Sequence, residues 1–176
     1  MASAPSQATY GRRIRTGDPV QALPARPKRR SKLAAEIARY LGAVSILLVG
    51  VVHAQQYYDA YFSVVPTIGT LFLLSFIGSG VVGVVLIAPV RRLGRSVGDL
   101  ILLVAALGAI GIAVGSLASL LISEYMPLFG FMESGYRLAI VLALVFDGLT
   151  TLFLAAFVVL VAPRLIHTIA TERRTR

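Results

Sequence analysis

The stretch VLALVFDGLTTLFLAAFVVL, Val141 to Leu160, is apolar throughout except for one carboxylate near its middle, Asp147. A helix needs about 20 apolar residues, at about 1.5 Å each, to cross the roughly 30 Å hydrocarbon layer of a bilayer. This stretch meets that requirement by itself. The whole chain has 176 residues, 57% of them hydrophobic and 14% charged. Ordinary soluble domains carry about 25% charged residues, so the composition argues against a water-soluble fold.

Working outward, three more segments have the same character, and the four together run at about 36–57, 65–89, 98–123 and 136–163. Helices are expected, because a single span in lipid must satisfy its own backbone donors and acceptors. Pro66 suits the first turn of the second span, where its missing N–H would be unpaired anyway, and Pro89 closes that span. Asp99 is expected in the first turn of the third. The resulting architecture is all-α, an integral membrane four-helix bundle over 33–168. It is flanked by a disordered basic tail, 1–32, and a basic C-terminal tail, 169–176. The long tail is rich in Pro, Gly, Ser and charge and poor in large apolar residues, a composition that cannot bury enough surface to fold.

Of the seventeen Lys and Arg residues, only Arg137 falls on the side of the membrane opposite the rest. Basic residues in short loops favour the cytoplasm, so both termini are expected there, in a cytoplasmic (inner) membrane. The cluster Lys28, Arg29, Arg30 and Lys32 borders the first span and faces lipid headgroups, each charge worth about 1 kcal/mol toward anionic lipid. The net charge of +9 is explained by this topology, and no nucleic-acid module accompanies it. The first segment also has signal-peptide features, with Val52-His53-Ala54 as a cleavage site. Cleavage after Ala54 would leave three spans. The leader is long for that role, and the segment is expected to be retained.

Small residues let helices approach closely in lipid. Gly108, Gly111, Gly115 and Ser119 form a stripe at spacings of three and four on the third span, expected to be a packing face. Such a stripe serves a bundle or a homo-oligomer equally well. On the outer side, Tyr57, Tyr58, Tyr61, Phe62, Tyr125, Phe129, Phe131 and Tyr136 are expected to form an aromatic belt. His53, Asp59 and Glu133 form a candidate polar cluster on that side.

Asp147 lies near the bilayer midplane, a costly place for a carboxyl that keeps it away from lipid. Thr150 and Thr151 follow at i+3 and i+4, on the same face. In one reading the acid exchanges its proton for a cation. In the other, the neutral acid ties helices together through Ser116, Ser119, Ser45 or Ser79. No other ionisable group is expected at its depth, with His53 near the outer boundary and His167 on the cytoplasmic side.

The chain has no cysteine, which removes disulfides and thiolate chemistry. No ligand spacing supports a metal, the two histidines stand too far apart for a shared haem iron, and no phosphate or dinucleotide loop is present. No catalytic residue, metal or cofactor is expected.

The stretch VHAQQYYDAYFSVVPTIGTLFLL, Val52 to Leu74, ends the first span with a histidine. A tyrosine-rich turn follows, then Pro66, Gly69, Phe72, Leu73 and Leu74. In this it resembles small four-span membrane proteins of high-GC Gram-positive bacteria, whose members carry no assigned activity. The resemblance implies a bacterial cytoplasmic membrane location and a fold. The expected function is a non-enzymatic accessory or interaction component, with membrane lipids and a membrane-protein partner. The alternative is a small proton-linked transporter or channel in which Asp147 is the coupling carboxylate.

Overall fold

A computed structural model describes residues 27–59, 62–64, 66–127 and 137–174. Among these residues there are four α-helices, α1 (Pro27–Tyr58), α2 (Pro66–Ile87), α3 (Arg95–Tyr125) and α4 (Leu138–Arg174), and no strand. Each helix contains a stretch long and apolar enough to cross a membrane, so the all-α, four-span expectation holds. Short 3-10 turns, Phe62–Val64 and Val90–Leu93, stand before α2 and before α3.

The helix ends differ from the hydropathy boundaries. α1 begins at Pro27, so the basic cluster from Lys28 to Lys32 lies on its first turns, inside what composition reads as disordered tail. Residues 1–26 lie outside the described residues. α3 begins at Arg95, which moves Asp99 beyond the first turn. α4 runs through Pro163 to Arg174, past the expected stop. A proline inside a helix removes one backbone hydrogen bond, and spans tolerate this where neighbouring groups compensate.

The helices run antiparallel in sequence order, each packing on its neighbours, with α4 closing back on α1 and α1 lying diagonally from α3. α1 has the shortest uncharged apolar run of the four, yet 56% of its most apolar window is buried, against 17% for α2. It holds the centre of one end of the bundle. There Ala35, Ala38 and Ala43 of α1 and Ala105, Ala106 and Ala109 of α3 belong to one buried cluster with Leu86, Leu102, Leu154 and Phe157. Alanine costs no side-chain entropy and lets backbones approach, so this half is densely packed.

Charges close the same end. Arg39 is buried; its Nη1 donates to the Leu86 carbonyl at 2.8 Å and its Nη2 to Glu36 at 2.7 Å. Glu36 also pairs with Arg91, whose Nε donates to Asp99 at 2.6 Å. Burial works against the Arg91 charge, but its bonds to Glu36 and Asp99 prevail and hold the guanidinium above its ordinary pKa. The quartet ties α1 to the end of α2, the connecting turn and α3. Two glycines make the turn possible. Gly94 has φ 115°, a conformation costly for any residue with a Cβ. At Gly98 a Cβ would meet the Arg91 Cα at 2.6 Å, so only glycine lets the turn lie against α3.

Candidate functional site

At the other end the helices diverge around a cavity of about 360 Å³, within the range of small-molecule sites. All four helices line it, from Val52 to Gln56, Ile68 to Ser75, Gly111 to Ser123 and Ala139 to Ala143. Its walls are largely aliphatic, with Phe72 the one aromatic side chain. His53, Gln56, Ser75, Ser116, Ser119 and Ser123 supply its polar groups.

The glycine stripe of α3 is part of this cavity. A Cβ on Gly111 or Gly115 would meet nothing within 4 Å, and one on Gly108 only Val82 at 3.6 Å. Gly108, Gly111, Gly115 and Ser119 are all exposed, whereas the buried face of α3 carries Leu102, Ala105, Ala106, Ala109 and Ala113. The expected packing face is therefore displaced around the helix, and Gly111 and Gly115 with Ser119 make room instead. Close approach by glycine occurs elsewhere: a Cβ on Gly83 of α2 would stand 2.6 Å from the Leu47 side chain of α1.

His53 is 5% exposed and faces the interior, not the membrane boundary. Its Nδ1 lies 2.8 Å from the Val49 carbonyl. A carbonyl only accepts, so Nδ1 carries the hydrogen, and in the neutral ring Nε2 is left as an acceptor. Ser116 Oγ of α3 stands 3.4 Å from that Nε2, and Phe72 holds the ring from α2 at a centroid distance of 5.4 Å.

Ser116 also stands near the Asp147 carboxyl, without a hydrogen bond to it. Asp147 has no exposed surface, and neither carboxyl oxygen has a hydrogen-bond partner. Buried polar atoms without partners are uncommon and call for an explanation. Thr150, one turn further along α4, is equally buried, and its Oγ1 is also unpartnered. Ser79 of α2 has a second such hydroxyl. Thr151 behaves differently: its Oγ1 donates to the Asp147 backbone carbonyl at 2.9 Å and so binds its own helix. Ser45 does the same with Leu41.

By helix rise, Asp147 lies about 14 Å along α4 from Leu138, and His53 about 8 Å along α1 from Tyr58. Ser116 of α3 stands between the two levels, 3.4 Å from His53 Nε2 and near the Asp147 carboxyl, so the imidazole and the acid have one hydroxyl as a common neighbour. The signal was the histidine itself, on a span with serine-bearing neighbours. Which way it faced was the missing fact.

The outer cluster lies only in part within the described residues. His53 is buried and Asp59 exposed, while Glu133 lies outside the described residues, and among those residues no group of three potential metal ligands occurs. Of the aromatic belt, Tyr58 and Tyr125 are strongly exposed, and Tyr57 stacks edge-on against Tyr58 at 4.9 Å. Tyr61, Phe129, Phe131 and Tyr136 lie outside the described residues. In the basic cluster, Arg30 and Lys32 are exposed.

The arrangement can do one thing chemically. A carboxyl, a hydroxyl and an imidazole in sequence can pass a proton from the buried acid toward the cavity, since the hydroxyl both accepts and donates. Comparison with known protein families, with curated proteins and with solved structures finds no match for this chain.

Proposed function

We propose that this chain is a non-enzymatic, proton-linked carrier that holds a small lipophilic cation in the cavity, with Asp147 carrying either a proton or the countercharge of the cation. The observation behind this reading is the Asp147 carboxyl, sealed from solvent and without a hydrogen-bond partner, beside Ser116, whose Oγ stands 3.4 Å from His53 Nε2 on the cavity wall. An isolated carboxylate at such depth is expensive, so the empty site favours the neutral acid. Asp147 lies behind the cavity wall and does not line it, so a bound cation is offset by the carboxylate across Ser116, and the displaced proton leaves by way of Ser116 and His53. One carboxyl cannot hold both at once, which is the elementary condition for exchange. The aliphatic wall suits an apolar body, and the serine and glutamine side chains orient a polar group.

In this reading, supported by the arginine distribution, the Arg91 end is cytoplasmic and the cavity faces the outer side of a bacterial cytoplasmic membrane. Liposomes made acidic inside and containing the protein are expected to accumulate ethidium, a fluorescent lipophilic cation, faster than empty liposomes. Collapse of the pH gradient by an ionophore should remove the difference. Uptake that ignores the gradient overturns the reading.

Gly115→Leu tests the cavity separately. The new side chain enters open space, and leucine is a better helix former than glycine by about 0.8 kcal/mol. Ethidium uptake is expected to fall about tenfold or more while the thermal midpoint holds or rises. Unchanged uptake would move the binding site elsewhere.

A second reading is the accessory role, favoured by the lightly buried α2, whose Leu74, Ile77, Val81 and Val84 are exposed. It requires a reproducible membrane partner on purification in mild detergent, and it fails if the protein purifies alone.

A further inference from the structure

The ionic quartet at the Arg91 end is neutral as a set, because Arg39 and Arg91 are matched by Glu36 and Asp99. Beside it, between α1, α3 and α4, is a second cavity of about 550 Å³, lined on its polar side by Lys32, Glu36, Arg91, Arg95, Ser96 and Asp99. Glu36 and Asp99 are already engaged by arginines. Lys32 and Arg95 are exposed and enter none of the ion pairs among the described residues. The cavity thus presents two uncompensated cations.

Its opposite wall is apolar, made by Val161 and Leu165 of α4 with Ala35 of α1. Its depth matters equally. Lys32 lies near the beginning of the first apolar span, Arg95 is the first residue of the third, and Leu165 lies just beyond the fourth, which ends at Pro163. These are the levels at which lipid phosphates sit. A ligand here meets paired cations at headgroup height and aliphatic side chains toward the hydrocarbon.

We propose that this cavity binds the headgroup of an anionic phospholipid, the phosphate between Lys32 and Arg95 and an acyl chain along Val161 and Leu165. Charge-assisted bonds from guanidinium and ammonium to phosphate are the strong class of hydrogen bond. The site is separate from the Asp147 cavity and stands without the transport reading.

The test is retention of phosphatidylglycerol against phosphatidylcholine by the full chain in detergent, titrated and followed by native mass spectrometry. Each cation is worth about fivefold in affinity for anionic lipid, so Lys32→Gln with Arg95→Gln should weaken phosphatidylglycerol binding about 30-fold. Phosphatidylcholine binding should not change. Arg92→Gln removes one charge from an exposed residue that does not line the cavity, and is expected to leave phosphatidylglycerol binding within about twofold, where Lys32→Gln or Arg95→Gln alone should cost about fivefold. Lys32→Arg with Arg95→Lys should keep the parental affinity. A loss in Arg92→Gln equal to that of either single variant would mean diffuse attraction and overturns the site. Inorganic phosphate is the third arm: displacement of phosphatidylglycerol by phosphate at comparable concentration would assign the cavity to the free ion and overturn the lipid assignment. The thermal midpoint checks folding, and the three substituted residues are exposed.

Discussion

Asp147→Asn is expected to abolish gradient-driven ethidium uptake into liposomes while leaving the protein folded. Asparagine has nearly the shape of aspartic acid and no titrating proton, so it cannot alternate between a neutral acid and a countercharge. Because the Asp147 oxygens have no partners to lose, the amide should cost little stability, about 1 kcal/mol or less in either direction. The flux should fall to that of empty liposomes, a loss limited only by background leak. His53→Gln is the graded companion. Glutamine keeps a hydrogen-bonding group near Ser116 but cannot carry a proton through the neutral pH range, so uptake should drop and lose its dependence on pH. Gradient-driven uptake by Asp147→Asn at the parental rate would end the carrier reading. The lipid site beside Lys32 and Arg95 would be untouched by that result, because it shares no residue with the path from Asp147 to His53.

The second large effect is structural and belongs to the opposite end. Arg39→Met keeps the length and apolar stem of the side chain and removes the guanidinium. The Leu86 carbonyl then loses its side-chain donor, and Glu36 keeps Arg91 alone. Breaking a buried charge pair by removing one partner typically costs 3–5 kcal/mol. Arg39 is 5% exposed but Glu36 is about a third exposed in its side chain, so the lower end, about 3 kcal/mol, is expected. Unfolding in mixed micelles with increasing SDS gives the measurement. Arg39→Lys should lie between, since an ammonium cannot hold the carbonyl and the carboxylate in the same planar fork. A variant as stable as the parent would show that alanine packing alone holds this end closed.

Both ends follow from how residues are distributed along each helix. Alanines and the ionic quartet concentrate in the half toward Arg91, and glycines, serines and His53 in the half toward Tyr58. In the sequence, Gly108, Gly111, Gly115 and Ser119 look like a contact surface because small residues at helical spacing usually are one. The alanines on the adjoining face make that contact instead. Both faces satisfy the same spacing rule, and only the rotation of α3 about its axis separates them. His53 was misplaced for a related reason. Its position near the end of an apolar run implies an interfacial side chain, yet α1 turns it inward to Val49 and Ser116. The basic residues after Pro27 looked like tail because no apolar side chain required a helix there, but Ala35 and Ala38 are buried in the core and α1 extends back through the cluster.

The sequence by itself determined that four helices are long and apolar enough to cross a hydrocarbon layer and that one carboxyl is buried within the fourth. Those conclusions depend on local quantities: the thickness of hydrocarbon, the rise of a helix, and the cost of an exposed backbone or charge in lipid. The tertiary structure alone decided which glycines pack and which open a cavity, that His53 faces inward to Ser116, and that Arg39, Glu36, Arg91 and Asp99 close one end. The deciding contacts join residues 47, 55 and 63 positions apart in the chain. They depend on the rotation and tilt of each helix against its neighbours, which composition and spacing leave free.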